Sequence, residues 1–291
     1  MERTINLCPG IGASAHIIQH TELLFPSVYF EHPHLYLVQQ GHKRVRWQQH
    51  EVVAHAGELL IIDGGQTVDI INGLSDEGVF SCQLLICDPL LFHVQQTPDE
   101  TAPPAPLDAV LALRNLPCAL MHSFETTSLA LALKQRFPPI IIRHKMLEIL
   151  LWLKQFNISF IHNEARDLTQ RVRRCLATDP HNIWTAAKVA ESLSMSEVVL
   201  RRKLSLENTA LRNLMIDVRM SSALTLLQST DWPISAISQH VGYESSSRFA
   251  ERFRKRFGFA PTAIRGHQRI MEPGAIQPYR LSAEVMPAPA N

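Results

Sequence analysis

Two adjacent guanidinium groups, Arg201 and Arg202, stand next to Leu200 and Leu204, whose i, i+4 spacing places both leucines on one face of a helix. With the leucines inward, Val198, Arg201, Arg202 and Ser205 project outward. A guanidinium in that position offers a forked pair of donors that fits either a guanine edge in the major groove or a phosphate. A second set follows about 49 residues later. Phe249, Phe253 and Phe257 form an i, i+4, i+8 core stripe, leaving Ser246, Ser247, Ala250, Glu251 and Arg254 on the opposite face. That face is small at its N-terminal end and basic further along. Small side chains let a helix approach base edges closely, and cations downstream meet the backbone.

The elements that must hold these residues can be read outward from them. Thr185 is placed to cap a helix Ala186–Ser192 with Val189, Ala190 and Leu193 on one side, Ser194-Met195-Ser196 makes a turn, and Ser196 caps the helix that carries Arg201. In the second set a helix begins after Pro233, Gly242 makes the turn and Ser245 caps the phenylalanine helix. Between them 211–227 is amphipathic, with Leu214, Val218, Ala223, Leu226 and Leu227 as its core, and forms a rigid spacer. One such pair of helices would pass for a plain hairpin. Two in tandem, each with a core face and a cationic face, point to a pair of helix-turn-helix units.

Charge points the same way. Residues 166–271 hold 17 Lys and Arg against 9 Asp and Glu, a net of +8, whereas the rest of the 291-residue chain carries −7 and eleven of the fourteen histidines. A basic half of about a hundred residues fits a polyanion, and nucleic acid is the commonest.

The N-terminal half reads differently. Short runs rich in β-branched and aromatic residues, from Val28-Tyr29-Phe30 to the stretch 79–86, are separated by turn signals such as Gly64-Gly65 and Asn72-Gly73, predicting a small barrel or sandwich. The Pro-rich stretch 97–106 reads as a surface connection, and the chain turns helical from Leu107. The segment 141–156 is apolar around most of its circumference, so it must be buried on more than one side, either within the chain or against a second copy; Leu147, Leu150 and Leu151 are the dimerisation candidates. Lys43, Arg44 and Arg46 are candidate cations for an acidic ligand, or else the solvated edge of a strand. A boundary is expected near 157–166.

Composition narrows the classes further. With 46% hydrophobic and 19% charged residues, and no apolar run of the roughly 18 residues that a membrane span needs, the chain reads as a folded cytosolic protein without a secretory signal. The five cysteines, 8, 82, 87, 118 and 175, include no C-x-x-C pair and read as reduced thiols rather than a disulfide frame or a zinc knuckle. Neither a Gly-rich phosphate loop nor a Ser-His-Asp motif is present.

Arg219-x-x-x-Ala223-x-x-Leu226-Leu227, followed by Ile234-x-x-Ile237-x-x-x-Val241-Gly242-Tyr243 and then by Phe249, Phe253, Phe257-Gly258 and Pro261, resembles the signature of AraC/XylS-type transcription regulators over residues 166–268. The resemblance implies two helix-turn-helix subdomains on a long helix, inserted into successive major grooves. By position it makes Val198, Arg201, Arg202, Ser246, Ser247, Ala250 and Glu251 base readers, and Ser196, Lys203, Ser245, Arg248 and Arg254 backbone contacts. Asn208-Thr209 stands where the family often has Gly, a place where Asn tolerates a left-handed conformation. Glu251 stands where the family is often basic, which makes cytosine N4 or a water its partner.

His32-x-His34, Gly41 and 56–62 resemble the cupin-like regulatory barrel of many members. A cupin enzyme would add a downstream carboxylate and a later His, but Asp69 lies near where that His would be expected, so the histidines read as surface or core-edge residues. An acidic β domain followed by helices resembles the virulence and acid-response branch, which implies control by a small organic acid such as a fatty acid, or by dimerisation. The expected fold is α+β: a cupin-like barrel with linking helices over 1–160, an all-α DNA-binding domain over 166–271 and a tail over 272–291. The expected function is that of a non-enzymatic regulator, more an activator than a repressor, without cofactor or metal. Its implied partners are promoter DNA, RNA polymerase and a second copy of itself on DNA. The alternative is a cupin-type metal enzyme with a DNA-binding appendage.

Overall fold

A computed structural model describes residues 4–94, 107, 109–160 and 168–265. The Pro-rich stretch 97–106, much of the expected boundary and the tail 272–291 lie outside the described residues. Among the described residues, ten strands form two antiparallel sheets. The first runs β1 (Asn6–Cys8), β2 (Gly12–Gln19), β9 (Phe80–Cys87), β4 (His34–Gln40), β7 (Leu59–Ile62) and β10 (Val110–Leu113). The second runs β3 (Leu24–Tyr29), β8 (Thr67–Gly73), β5 (His42–Trp47) and β6 (His50–His55). The β-rich half expected from the sequence is present, but among the described residues its strands hydrogen-bond in two separate ladders and form no closed barrel.

The first sheet is covered on both faces, so its strands are apolar without alternation. Tyr36, Val38, Leu60, Ile62 and Leu84 point towards the second sheet and meet Phe25, Val45, Val68 and Ile70. Leu35, Leu37, Leu59, Ile61 and Leu85 point the other way, towards helices α1 (Cys118–Ala132) and α2 (Pro139–Gln155). The helical stretch expected from Leu107 therefore begins later. Val110–Leu113 extends the first sheet instead, pairing with the edge of β7 from Val110↔Ile62 to Leu113↔Leu59. A four-residue apolar run carries no period that separates strand from helix, and here the unpaired edge decides.

The C-terminal half consists of α3 (Leu168–Ala177), α4 (Ala186–Ser192), α5 (Glu197–Leu206), α6 (Leu211–Ser229), α7 (Ile234–His240) and α8 (Ser246–Phe257). It packs directly on β3. Pro26 interrupts that strand at a bulge between Phe25 and Val28, with Ser27 at φ +50°, and such a bulge turns backbone carbonyls out of the ladder. Arg256, at the end of α8, donates to both freed carbonyls, Pro26 O at 2.9 Å and Ser27 O at 2.6 Å. Phe25 meets Phe257 and Phe259 edge-on, with ring centroids 6.4 and 5.6 Å apart.

Candidate nucleic-acid interface

The two helix pairs form as their caps predict. Thr185 Oγ1 accepts from Lys188 N at 3.2 Å, Ser196 Oγ from Val199 N at 3.3 Å and Ser245 Oγ from Arg248 N at 3.5 Å, each satisfying an amide that the first helical turn leaves open. Leu200 and Leu204 are buried against Val172, Leu176, Val189, Leu214 and Val218, while Phe249, Phe253 and Phe257 are buried on the other side of α6 with Met220, Leu227, Ile237 and Val241. Asn208 adopts the left-handed conformation expected of it, at φ +53°.

Fixing those faces exposes the others. Ser196, Val198, Arg201, Arg202 and Lys203 are exposed on the first unit, and Ser246, Ser247, Arg248, Glu251 and Arg254 on the second; Ser245 and Ala250 are half-buried. Val198, at 76% exposure, is an apolar side chain on an otherwise polar, mainly cationic face. Among the described residues, none of Arg202, Lys203, Arg248 and Arg254 forms a salt bridge; Arg201 does, with Glu197.

Arg219 on α6 ties the two units together. Its guanidinium donates to Pro180 O at 2.9 Å and Asn182 O at 3.1 Å in the segment leading into α4, and to Gly242 O at 3.0 Å in the turn of the second unit, with Tyr243 beneath it. Gly242 sits at φ +81°, and a Cβ there would lie 2.7 Å from Arg219 Nη2 and 2.9 Å from Pro180 O, so the clamp leaves room only for a glycine in the turn. Two residues earlier on α6, Asp217 accepts from Arg173 at 3.2 Å and Arg256 at 3.1 Å, joining α3 and α8, while Arg173 also lies over the Tyr29 ring of β3. Sequence reasoning quoted Arg219 only as part of a motif and missed Asp217, Arg256 and Arg173, because their partners are backbone carbonyls and side chains far along the chain.

The other candidate residues are dispersed. Lys43 is buried between the sheets, whereas Arg44 and Arg46 face outward and pair with Glu51, so the three cations do not form one site. Strand alternation separates them. Lys43 Nζ donates to Asn72 Oδ1 at 2.7 Å and lies 4.2 Å from the centre of the Tyr36 ring; burial without a carboxylate lowers its pKa to about 8. On α2, Leu151 is exposed and Leu147 half-buried, but Leu150 is 3% exposed and faces the first sheet, which corrects its expected place on an outward face. His34 is enclosed between Phe30 and Tyr36, its Nδ1 2.7 Å from His32 O, and burial drops its pKa to about 3. Asp69 accepts from Ser27 N at 2.6 Å. No group of three or more His, Cys, Asp or Glu able to hold a metal ion is found among the described residues.

A family model described as a helix-turn-helix domain matches residues 189–267. The transcriptional activator CfaD of Escherichia coli is 33% identical over 93 residues, 32% of this chain and 35% of that one, and the dual transcriptional regulator Rns of the same species is 33% identical over 105 residues, 36% and 37% of the two chains. The chain thus spans about a third of the length of these curated relatives. The structure of ToxT from Vibrio cholerae bound to an unsaturated fatty acid has the same overall fold, with a TM-score of 0.60, 15% identity and coverage of 90% of this chain and 95% of that one. With the paired helix-turn-helix units, the clamped spacer and these matches together, the C-terminal half of the chain is a DNA-binding domain of the AraC/XylS family of transcription regulators.

Proposed function

We propose that the protein is a sequence-specific transcription regulator that sets α5 and α8 into successive major grooves of promoter DNA, acting in the cytoplasm. The observation that carries this reading is the Arg219 clamp, which fixes two exposed recognition faces on one rigid body. Arg201 and Arg202 read base edges, Val198 meets a thymine methyl, and Ser246, Ser247, Ala250 and Glu251 read the second groove. Ser196, Lys203, Ser245, Arg248 and Arg254 hold the phosphates. Activation is the direction of control, as CfaD is named a transcriptional activator, and RNA polymerase is the partner on which activation would act. On DNA the protein pairs with a second copy, with Leu151 and Leu147 on the α2 face as contacts. A small organic acid is the effector class, as the ligand of ToxT suggests; Lys43 is the inward cation available to it, and Arg44 and Arg46 contribute only at the outer surface.

The test is a salt-controlled comparison of the full chain on a duplex selected from a randomised pool and on random duplex. Specific binding at least about a thousandfold tighter, with two protected major-groove segments about 10 bp apart, is the expected result. Equal affinity for both duplexes overturns it. Thermal shifts of the full chain with fatty, aromatic and sugar acids test the effector, which must stabilise in proportion to the logarithm of its concentration once the site saturates.

A further inference from the structure

Glu197 opens α5, the first recognition helix, and its Oε1 accepts from Arg201 Nε at 3.0 Å and Nη2 at 2.5 Å. Both side chains are well exposed, Arg201 at 70% and Glu197 at 42%, so the pair faces solvent on the surface assigned to DNA. An exposed i, i+4 pair adds little to helix stability. Its position carries more information than its strength. Side chains on a helix lean towards the N-terminus, and a partner four residues upstream draws the guanidinium further that way, towards the end of the helix that enters the groove. A carboxylate beside that guanidinium also competes with every phosphate for it. An arginine without such a neighbour can turn to the backbone of any duplex; Arg201, held by Glu197, is withheld from that sequence-independent interaction.

We infer that Glu197 is a specificity-determining positioning residue: it holds the Arg201 guanidinium for a base edge and lowers affinity for DNA of the wrong sequence. The inference rests on the proposed reading of α5 as a groove-binding helix. It implies that one acidic group on a cationic face strengthens discrimination by weakening non-specific binding.

The experiment uses the full-length protein, a duplex selected from a randomised pool by the wild type, and a random duplex, titrated over a range of salt concentrations. Glu197→Ala and Glu197→Gln are both expected to bind random duplex several-fold more tightly, to lower the ratio of selected to random affinity about tenfold, and to steepen the logarithmic salt dependence by about 0.9, the release that accompanies one more phosphate contact. Glu197→Gln retains an acceptor oxygen and loses only the charge, so agreement between the two variants assigns the effect to the carboxylate charge, and the Arg201→Ala background separates its action on Arg201 from its action on the start of the helix. In an Arg201→Ala background, Glu197→Ala should leave the ratio unchanged. If Arg201→Ala weakens selected binding while Glu197→Ala and Glu197→Gln keep the wild-type ratio and slope, Glu197 has no part in specificity and the inference falls while the reading of α5 stands. If neither Arg201→Ala nor Arg202→Ala affects selected binding, the reading of α5 itself is wrong and the inference falls with it.

Discussion

The two helix-turn-helix units share a plan and differ in what lies behind them. The first, α4 with α5, is backed by aliphatic side chains, Val189, Leu200 and Leu204 against Leu214 and Val218, and its turn residue Ser194 takes a left-handed conformation at φ +54°. The second, α7 with α8, is backed by the phenylalanine stripe, whose core runs on to Phe25 of the β domain, and its turn residue is Gly242, pressed against Arg219. The last turn of α8 also carries Arg256, which holds the β3 bulge. The first unit therefore presents its recognition helix without a direct hydrogen bond from that helix to the β domain among the described residues, while the second is bonded to it. The second unit thus meets β3 through Phe257 and Arg256 of its own recognition helix, whereas the first meets it behind that helix, where Tyr29 joins its core and Arg173 of α3 lies over the Tyr29 ring.

The sharpest way to break this contrast is at the turns. Gly242→Ala places a Cβ 2.7 Å from Arg219 Nη2 and 2.9 Å from Pro180 O on a backbone that disfavours any L side chain. It should cost about 2–4 kcal/mol in urea unfolding of the full chain and remove the second protected groove segment from the footprint. A loss below about 0.5 kcal/mol would mean that the clamp yields easily and does not fix the units. Next in size, Arg219→Met leaves the carbonyls of Pro180, Asn182 and Gly242 without their donor and should cost about 2–3 kcal/mol. The two protected segments should then lose their fixed spacing, which footprints on duplexes with altered spacing will read.

The parts of this design differed in how visible they were in the sequence. The core faces of α5 and α8 could be read from Leu200, Leu204 and the three phenylalanines, because a 3.6-residue period reports which face is inward whatever it packs against. The left-handed Asn208 was legible for a local reason as well, since few residues accept that conformation. The α2 face was not legible: with apolar residues all round, the period vanishes, and Leu150 and Leu151 exchange roles depending on where the sheet lies. Arg256 looked like one more cation in a basic run, and only the bulge at Pro26, about 230 residues away, assigns it to the β domain. The Arg219 carbonyl partners lie 23 to 39 residues away and have no side-chain identity to mark them.

Asp217 sharpens the comparison at lower amplitude. Its carboxylate stands between Arg173 of α3 and Arg256 of α8, with each side chain no more than a quarter exposed. Asp217→Asn keeps the shape and loses the charge, so it should cost about 1–2 kcal/mol and raise amide exchange in the last turn of α8 more than in α5. Equal acceleration in both helices would mean that the β domain restrains the two units alike.

The smallest effect has the opposite sign to the first. Ser194 occupies the turn of the first unit, as Gly242 occupies that of the second, and both have positive φ, but nothing crowds Ser194, which is exposed. An L residue there stores about 1 kcal/mol of backbone strain that glycine does not, while glycine loses somewhat more chain entropy on folding. The difference leaves Ser194→Gly more stable than the wild type by about 0.5 kcal/mol, measurable as a shift of the urea midpoint at unchanged slope. Because α5 keeps its Ser196 cap and its outward face, affinity for the selected duplex should stay within about twofold of the wild type. If Ser194→Gly instead destabilises the protein or loosens DNA binding, the first turn is as tightly constrained as the second, and the difference between the units lies only in the contacts of α8 with β3.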